Sequence, residues 1–533
     1  MNRLGVWSAV FVAAVLSVGC GGPSNFSERR KEGEAGVLKY PIKSNPTTLD
    51  PAIVQDGDTI DILQNVYEGL VGWDENNQPV GYLAEKWDVK DNGKTWVFHL
   101  RKGVKFSNGR ELTADDVKFS IERACDPQMK SQTADAYMND IVGVTDMVNG
   151  KAKGVAGVKV IDPSTVEIDL NQPTPYFLGR LTYIVSAVVP KESVPTTEIK
   201  EVSQCVGTGP FKIKEFHPNQ LLVLEANPGY WGTKAKLSRI ERPVIIDAQT
   251  RLNKYKNGEL DMLLLERQDV NALKKDPVLG KEIVAYPRPS IYYVAMNQLV
   301  NPQFKDLRVR QAFAMGIDRD KIVNELLEGL NEKADSIVPP GVKGHRDKAA
   351  VYPYDVAKAK ELLAQAGFPG GKGLPPFTLT FRDGQPDVKV VAEAVASQLN
   401  ANLGLDIKLQ VMEWRAYLEK FNHKEQGFYH MRWAADYLDP QNFLSQMLAT
   451  WGPENKLGYN NAEFDKLCRQ GDTTLDYDAR VPFYQKAEDV ALQDVAWIPI
   501  YFQKDYELHK PGVNGLRESL FGHLQHTTTS ITR

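Results

Sequence analysis

Two hydrophobic periods take turns along this chain from Gly36 to the C-terminus, and few folds admit such a pattern. Thr95 to Leu100 shows the shorter period most clearly. Trp96, Phe98 and Leu100 share one side of an extended strand, and Thr95, Val97 and His99 share the other. A helix follows. Thr113, with Asp116 three residues on, makes a capping-box start, and Ala114, Val117, Ile121 and Ala124 fall on one helical stripe. The succession then repeats. Strands are expected at 37–42, 103–109, 158–170 (two, around Asp162-Pro163), 211–213, 221–224, 260–265, 292–297, 407–411 and 497–502. Helices are expected at 61–67, 251–258, 308–316, 320–327, 355–366, 388–399, 463–468 and 480–492. Pro499 in the last strand run predicts an edge position or a chain crossing. The fold class is α/β (mixed α+β), without a repeat of 20–50 residues. A length of 533 residues predicts two to four domains at roughly 150 residues each.

The first 35 residues stand outside that alternation. Arg3 precedes an apolar run from Val6 to Val18, which is short for a bilayer span and of the length of a signal-peptide core. The run ends in Leu16-Ser17-Val18-Gly19-Cys20, which resembles a bacterial lipobox with Ser17 where the usual Leu would stand. Residues 1–20 are therefore expected to be a lipoprotein signal peptide, with Cys20 as the lipidated residue. Residues 21–35 are expected to be a flexible tether. A plain secretory signal is the alternative.

Net charge of −4, from 64 basic and 68 acidic residues without long like-charge blocks, gives no reason to expect nucleic acid as a partner. Cys125, Cys205 and Cys468 fit no zinc spacing; a Cys125–Cys205 bridge and buried free thiols are both open. The eight histidines, including His423, His430, His509, His523 and His526, show no ligand spacing, so no metal is expected. Metalloprotease, nucleophile-elbow and phosphate-loop motifs are absent from the sequence, and Gly207-Thr-Gly-Pro-Phe211 reads as close backbone packing. No catalytic constellation is visible, and no cofactor is implied.

The stretch with most chemistry is Arg432-Trp-Ala-Ala-Asp-Tyr-Leu-Asp-Pro440. Asp436 could face a cationic ligand group at a strand end, or Asp436 and Asp439 could both cap turn N–H groups. Trp414, Trp433, Trp451, Tyr292, Tyr293, Tyr501 and Phe502 gather in the same part of the chain. They could fill a core or line a pocket that excludes water from a charge contact.

Many ordered motifs then resemble one family. They include Asn45 to Pro51, Tyr67-Glu-Gly-Leu-Val71, Leu83-Ala-Glu-Lys-Trp87, Thr95 to Gly103, Phe106 to Val117, Gly207 to Phe211, Asn227-Pro-Gly-Tyr-Trp231, Asp306 to Ala312, Ile317-Asp-Arg319 and Tyr459 to Leu467. The chain is similar over nearly its whole length to the peptide-type solute-binding proteins of ATP-binding-cassette (ABC) importers, the oligopeptide/dipeptide group of extracellular solute-binding family 5. The resemblance implies a two-lobed periplasmic-binding-protein clam, type II-like, with an extra third domain. Lobe I would comprise 36–67, 187–288 and 504–533, the extra domain II 68–186, and lobe III 289–503, with chain crossings near Pro289 and Gln503 as the hinge.

By the same resemblance, Asp436 would hold a peptide α-ammonium. Trp433 and Ala434 would pair with the peptide backbone by β-augmentation, Gln55, Asp56 and Gly57 would face them, and Trp414 would line a side-chain pocket. Tyr293 and Phe502 are taken as further pocket aromatics. The chain departs from some relatives by lacking a Cys at Ala434 and at Ser290, and by offering His430 and Arg432 near the place of a peptide-fixing Arg. The implied protein is a monomeric, lipid-anchored, extracytoplasmic receptor with no enzyme activity, delivering short peptides to permease and ATPase subunits. A non-peptide solute on the same fold (an oligosaccharide, a metal chelate or an opine-like compound) is the alternative. An exported enzyme and a signalling receptor are more distant ones.

Overall fold

A computed structural model describes residues 36–532; the expected signal peptide, Cys20 and the tether lie outside the described residues. Three main sheets carry the fold, and the class is mixed α/β as expected. The first is four-stranded, in the order Val37–Lys39, Arg239–Pro243, Leu221–Ala226 and Phe211–His217, with the first pair parallel. The second is antiparallel, in the order Ala84–Lys90, Thr95–Leu100, Thr165–Asp169 and Val158–Asp162. Trp96, Phe98 and Leu100 go into one core beneath the helix Ala114–Cys125, whose Thr113/Asp116 capping box is formed.

The largest sheet is mixed. Its order is Met262–Leu264, Trp497–His509, Ile283–Met296, Phe428–Ala434, Phe377–Arg382 and Ile407–Met412, with Glu332–Lys333 also on Trp497–His509. Helices cover both faces, so the strands read as near-continuous apolar runs. Period two still sorts them. Tyr292, Val294 and Met296 enter the core under the helices Leu307–Met315 and Pro386–Leu403. Ile291, Tyr293 and Ala295 enter the opposite core under Ala462–Thr473 and Tyr477–Gln493. Fully burying a Val, Ile or Met among them contributes about 1.5–3 kcal/mol.

Several local expectations change. Pro499 lies in an inner strand. It is accommodated at a register shift, where Tyr292 faces Tyr501 but Tyr293 faces Pro499, and the missing N–H falls at the bulge. The first helix is Gly57–Leu63, ahead of the expected 61–67, because Asp56 caps it by accepting from Thr59 N at 2.9 Å. Residues 103–109 form the turn, but the short strand expected with it is reduced to a single bridge from Lys105 to Glu111. Lys321–Leu326 is wound as a π-helix. Cys125, Cys205 and Cys468 are free, buried thiols, which removes the Cys125–Cys205 bridge.

Motifs far apart in sequence meet at buried carboxylates. Glu68 accepts from Thr208 Oγ1 (2.9 Å), the Tyr230 hydroxyl (2.9 Å) and Trp231 Nε1 (2.8 Å). Asp50 accepts from Arg123 and from the Ile199 N–H at 2.8 Å. Gly207 and Gly209 are required where they stand, since a Cβ on either would lie 2.1 Å from the Val66 carbonyl oxygen or 2.5 Å from that of Asn65.

Candidate ligand-binding site

Three strands of the large sheet, Phe377–Arg382, Ile407–Met412 and Phe428–Ala434, run parallel and end on one side. Arg382, Trp414 and the Ala434–Asp436 segment thereby share the carboxyl ends of a parallel set, the side on which open α/β sheets hold ligands. Three cavities meet there, of about 430, 350 and 390 Å³. Ala434 lines all three, Asp436 the second and third, and Arg432 the first and third. The opposite wall of the second cavity comes from Gln55, Gly57, Gln64 and the C-terminal segment around Phe521 and Gln525.

Beside these cavities the Phe428–Ala434 strand has one open edge. It pairs along its length with Ile283–Met296, from Met296↔Phe428 to Ser290↔Ala434. On its other side Phe377–Arg382 pairs only at Phe428 and Tyr429. From His430 to Ala434 that edge has no strand partner among the described residues, so it can accept an added strand.

Asp436 follows this edge and is held by neutral groups. The Asn442 amide oxygen accepts from the Asp436 N–H (3.2 Å) and from Trp433 Nε1 (3.0 Å), while Asn442 Nδ2 faces Asp436 Oδ2 at 3.4 Å. The Tyr137 hydroxyl reaches the same carboxylate, and its ring stacks on Tyr183 at 3.7 Å. Among the described residues no lysine, arginine or histidine forms an ion pair with Asp436. Burial pushes its carboxyl up to about 6, against the pull of Tyr137 and Asn442. It is a half-buried acid with no ion-pair partner among the described residues, Arg180 acting on it only from a distance. Asp439, three residues on, is a cap: it accepts from Gln441 N at 3.0 Å and pairs with the buried Arg480.

The third cavity, lined also by Asp436 and Glu454, holds two arginines. The Arg382 guanidinium lies 4.0 Å over the Trp414 ring, and its Nε has no hydrogen-bond partner. Burial, assisted by Arg432, lowers its pKa. Arg432 is exposed and has no carboxylate partner among the described residues. His430, in the same wall, is kept neutral because burial lowers its pKa to about 3.

The geometry therefore brings together Asp436, Trp433, Ala434 and Trp414, with Gln55 and Gly57 across the second cavity. It removes others. Tyr293 is a core residue stacked 3.8 Å on Trp497, because strand alternation turns it to the face opposite Tyr292. Phe502 is also core, packed edge-on against His345. The Asp56 side chain serves as the helix cap described above. Asn442, Tyr137 and Arg382 escaped the sequence reading. Arg382 carried a signal, a charge closing an apolar strand before Asp383-Gly384; Tyr137 carried none.

Comparison with known proteins places this geometry in context. The family described as bacterial extracellular solute-binding proteins, family 5 Middle, matches residues 78–455. The oligopeptide-binding protein OppA of Bacillus subtilis is 30% identical over 525 residues, covering 95% of both chains. The probable deoxycholate-binding periplasmic protein YgiS of Escherichia coli is 32% identical over 492 residues, covering 90% of each. Among solved structures, the murein tripeptide binding protein MppA of Escherichia coli, in its unliganded open form, superposes with a TM-score of 0.79 at 28% identity. That match covers 93% of this chain and 98% of the other.

Proposed function

The chain belongs to the bacterial extracellular solute-binding proteins of family 5, and from that membership we propose that it captures short peptides and delivers them to an ABC importer. One observation supports the peptide reading most: Asp436, a carboxylate with no ion-pair partner among the described residues, stands directly beyond a strand edge that none of them covers. A peptide offers an α-ammonium and an extended backbone in that same order. Its backbone would add to residues 430–434, giving affinity independent of side chains. The ammonium would pair with Asp436, and side chains would enter the cavities. Arg382 and Arg432 supply a place for a ligand carboxylate, either the C-terminus of a short peptide or an acidic side chain.

The proposal extends to organisation. Residues 36–67, 187–288 and 504–533 act as one lobe and 289–503 as the other, with 68–186 beside them. The two long strands are the connection that bends. Ligand contacts made by both lobes favour the closed form over the open one, which is the population shift the permease reads. The protein works as a monomer without catalysis, tethered through lipid on Cys20; among the described residues no helix is long and apolar enough to cross a membrane.

Calorimetry with a peptide recovered by native mass spectrometry tests the reading. N-acetylation of that peptide should weaken binding at least about a hundredfold. Equal affinity for the acetylated form would remove the ammonium role. Binding of a bile acid or sugar with no peptide binding would favour the non-peptide alternative, which the likeness to the YgiS protein keeps in view.

A further inference from the structure

A second group of side chains converges on the other end of the cleft. Glu507 and His509 are two apart on Trp497–His509, so both leave the same face of the strand. His523 arrives from the small hairpin that pairs Glu518–Ser519 with Gly522–His523. Glu507 Oε2 lies 3.0 Å from His509 Nε2 and 3.0 Å from His523 Nε2. His509 Nε2 is hydrogen-bonded to that oxygen, whereas the buried His523 Nε2, equally close, has no hydrogen-bond partner. The three donor atoms all lie within 4.8 Å of one another, a convergence of three such donors found nowhere else among the described residues. Glu518 Oε1 stands 4.0 Å from His523 Nε2 and is held by the Tyr286 hydroxyl at 2.6 Å. The three side chains are only 8–13% exposed, yet Glu507 and His523 line the 430 Å³ cavity, which gives an ion a way in.

We propose that Glu507, His509 and His523 form a site for one divalent transition-metal ion of the zinc class, with Glu518 or water as the fourth donor. Two imidazoles and a carboxylate with one open position are a zinc set, whereas Mg²⁺ and Ca²⁺ seek oxygen donors alone. Ligands at about 2.0–2.2 Å from a tetrahedral ion stand roughly 3.3–3.6 Å apart, so the two 3.0 Å carboxylate–imidazole separations need to open only slightly. The ion would tie the long strand to the hairpin that carries Phe521, a wall of the peptide cleft. The sequence gives no warning, because His509 and His523 are joined through a strand face and a hairpin rather than by helical spacing.

The test uses the full chain without an affinity tag, stripped with EDTA and titrated with ZnCl₂. One ion per chain should bind, and Co²⁺ should show the visible bands of four-coordinate cobalt. His509→Gln and His523→Gln should each weaken Zn²⁺ binding at least about tenfold. His217→Gln should not, since the exposed His217 pairs with Glu215, outside this cluster. In the unsubstituted chain, Zn²⁺ should protect His509 and His523 from diethyl pyrocarbonate, a readout that no folding defect can mimic. Absence of stoichiometric binding at micromolar zinc, unchanged binding in both variants, or modification of both histidines despite zinc would each overturn the assignment.

Discussion

Asp436 and Asp439 are three residues apart on one segment and have opposite fates. Asp439 is enclosed with Arg480, whose guanidinium also lies 5.4 Å from the Tyr484 ring centre, and it starts the short helix Pro440–Asn442. Its charge is answered inside the protein. Asp436 is met by an amide and a phenol, which orient a carboxylate without neutralising it. An acid whose partner is built in reports on stability. An acid whose partner is left out reports on a ligand.

The contrast can be broken by substitution, and the largest effect belongs to the paired acid. Asp439→Ala strands Arg480 in the interior and should cost about 3–5 kcal/mol of unfolding free energy, read by chemical denaturation. A smaller loss than for Asp436→Ala would end the distinction. Next in size, Asp436→Ala should leave the fold intact and weaken peptide binding by about 2.7 kcal/mol, a hundredfold in calorimetry. Third is pH. Ammonium binding needs the ionised form of a group whose carboxyl sits at about 6. Affinity should be full above that value and fall roughly tenfold between pH 7 and pH 5, with the dependence lost in Asp436→Asn. The smallest effect has the opposite sign. A carboxyl raised by burial makes the native state hold its proton more tightly than the unfolded chain does. Its contribution to stability is therefore greatest at low pH and is lost as pH rises from about 4 to 6. At pH 7.5, Asp436→Asn should raise the melting temperature of the ligand-free protein by about 1–2 °C. A fall would mean that Asp436 has an internal partner after all.

Much of the fold was legible because local chemistry and tertiary packing agree. The capping box at Thr113, the alternation of Trp96, Phe98 and Leu100, and the Gly367 that follows the helix Val356–Gln365 with φ +93° are all set by neighbours in sequence. The matched motifs also have a physical sense: Tyr67-Glu-Gly, Gly207-Thr-Gly and Asn227-Pro-Gly-Tyr-Trp converge on the Glu68 carboxylate. What failed needed the third dimension. Pro499 argues for an edge or a chain crossing until a one-residue register shift against Ile283–Met296 absorbs it. Tyr292 and Tyr293 are indistinguishable in sequence until the sheet shows which face each takes. Asp436 was legible as a candidate acid, but its neutral partner Tyr137 stands nearly 300 residues away.

The long strands Ile283–Met296 and Trp497–His509 are paired on both sides of a short gap, up to Pro287↔Lys504 and again from Ile291↔Phe502. Three residues, Arg288 to Ser290, there oppose the single Gln503. The ribbon's other irregularity is the register shift at Tyr292/Tyr293, so this wider gap is where flexure of the proposed hinge will concentrate. Those same residues, with Gln503, form part of the wall of the 430 Å³ cavity. In the hinge proposed above, the pivot and the chamber would be one piece of backbone, so a ligand filling the chamber would press on the fulcrum itself and need no relay to set the angle.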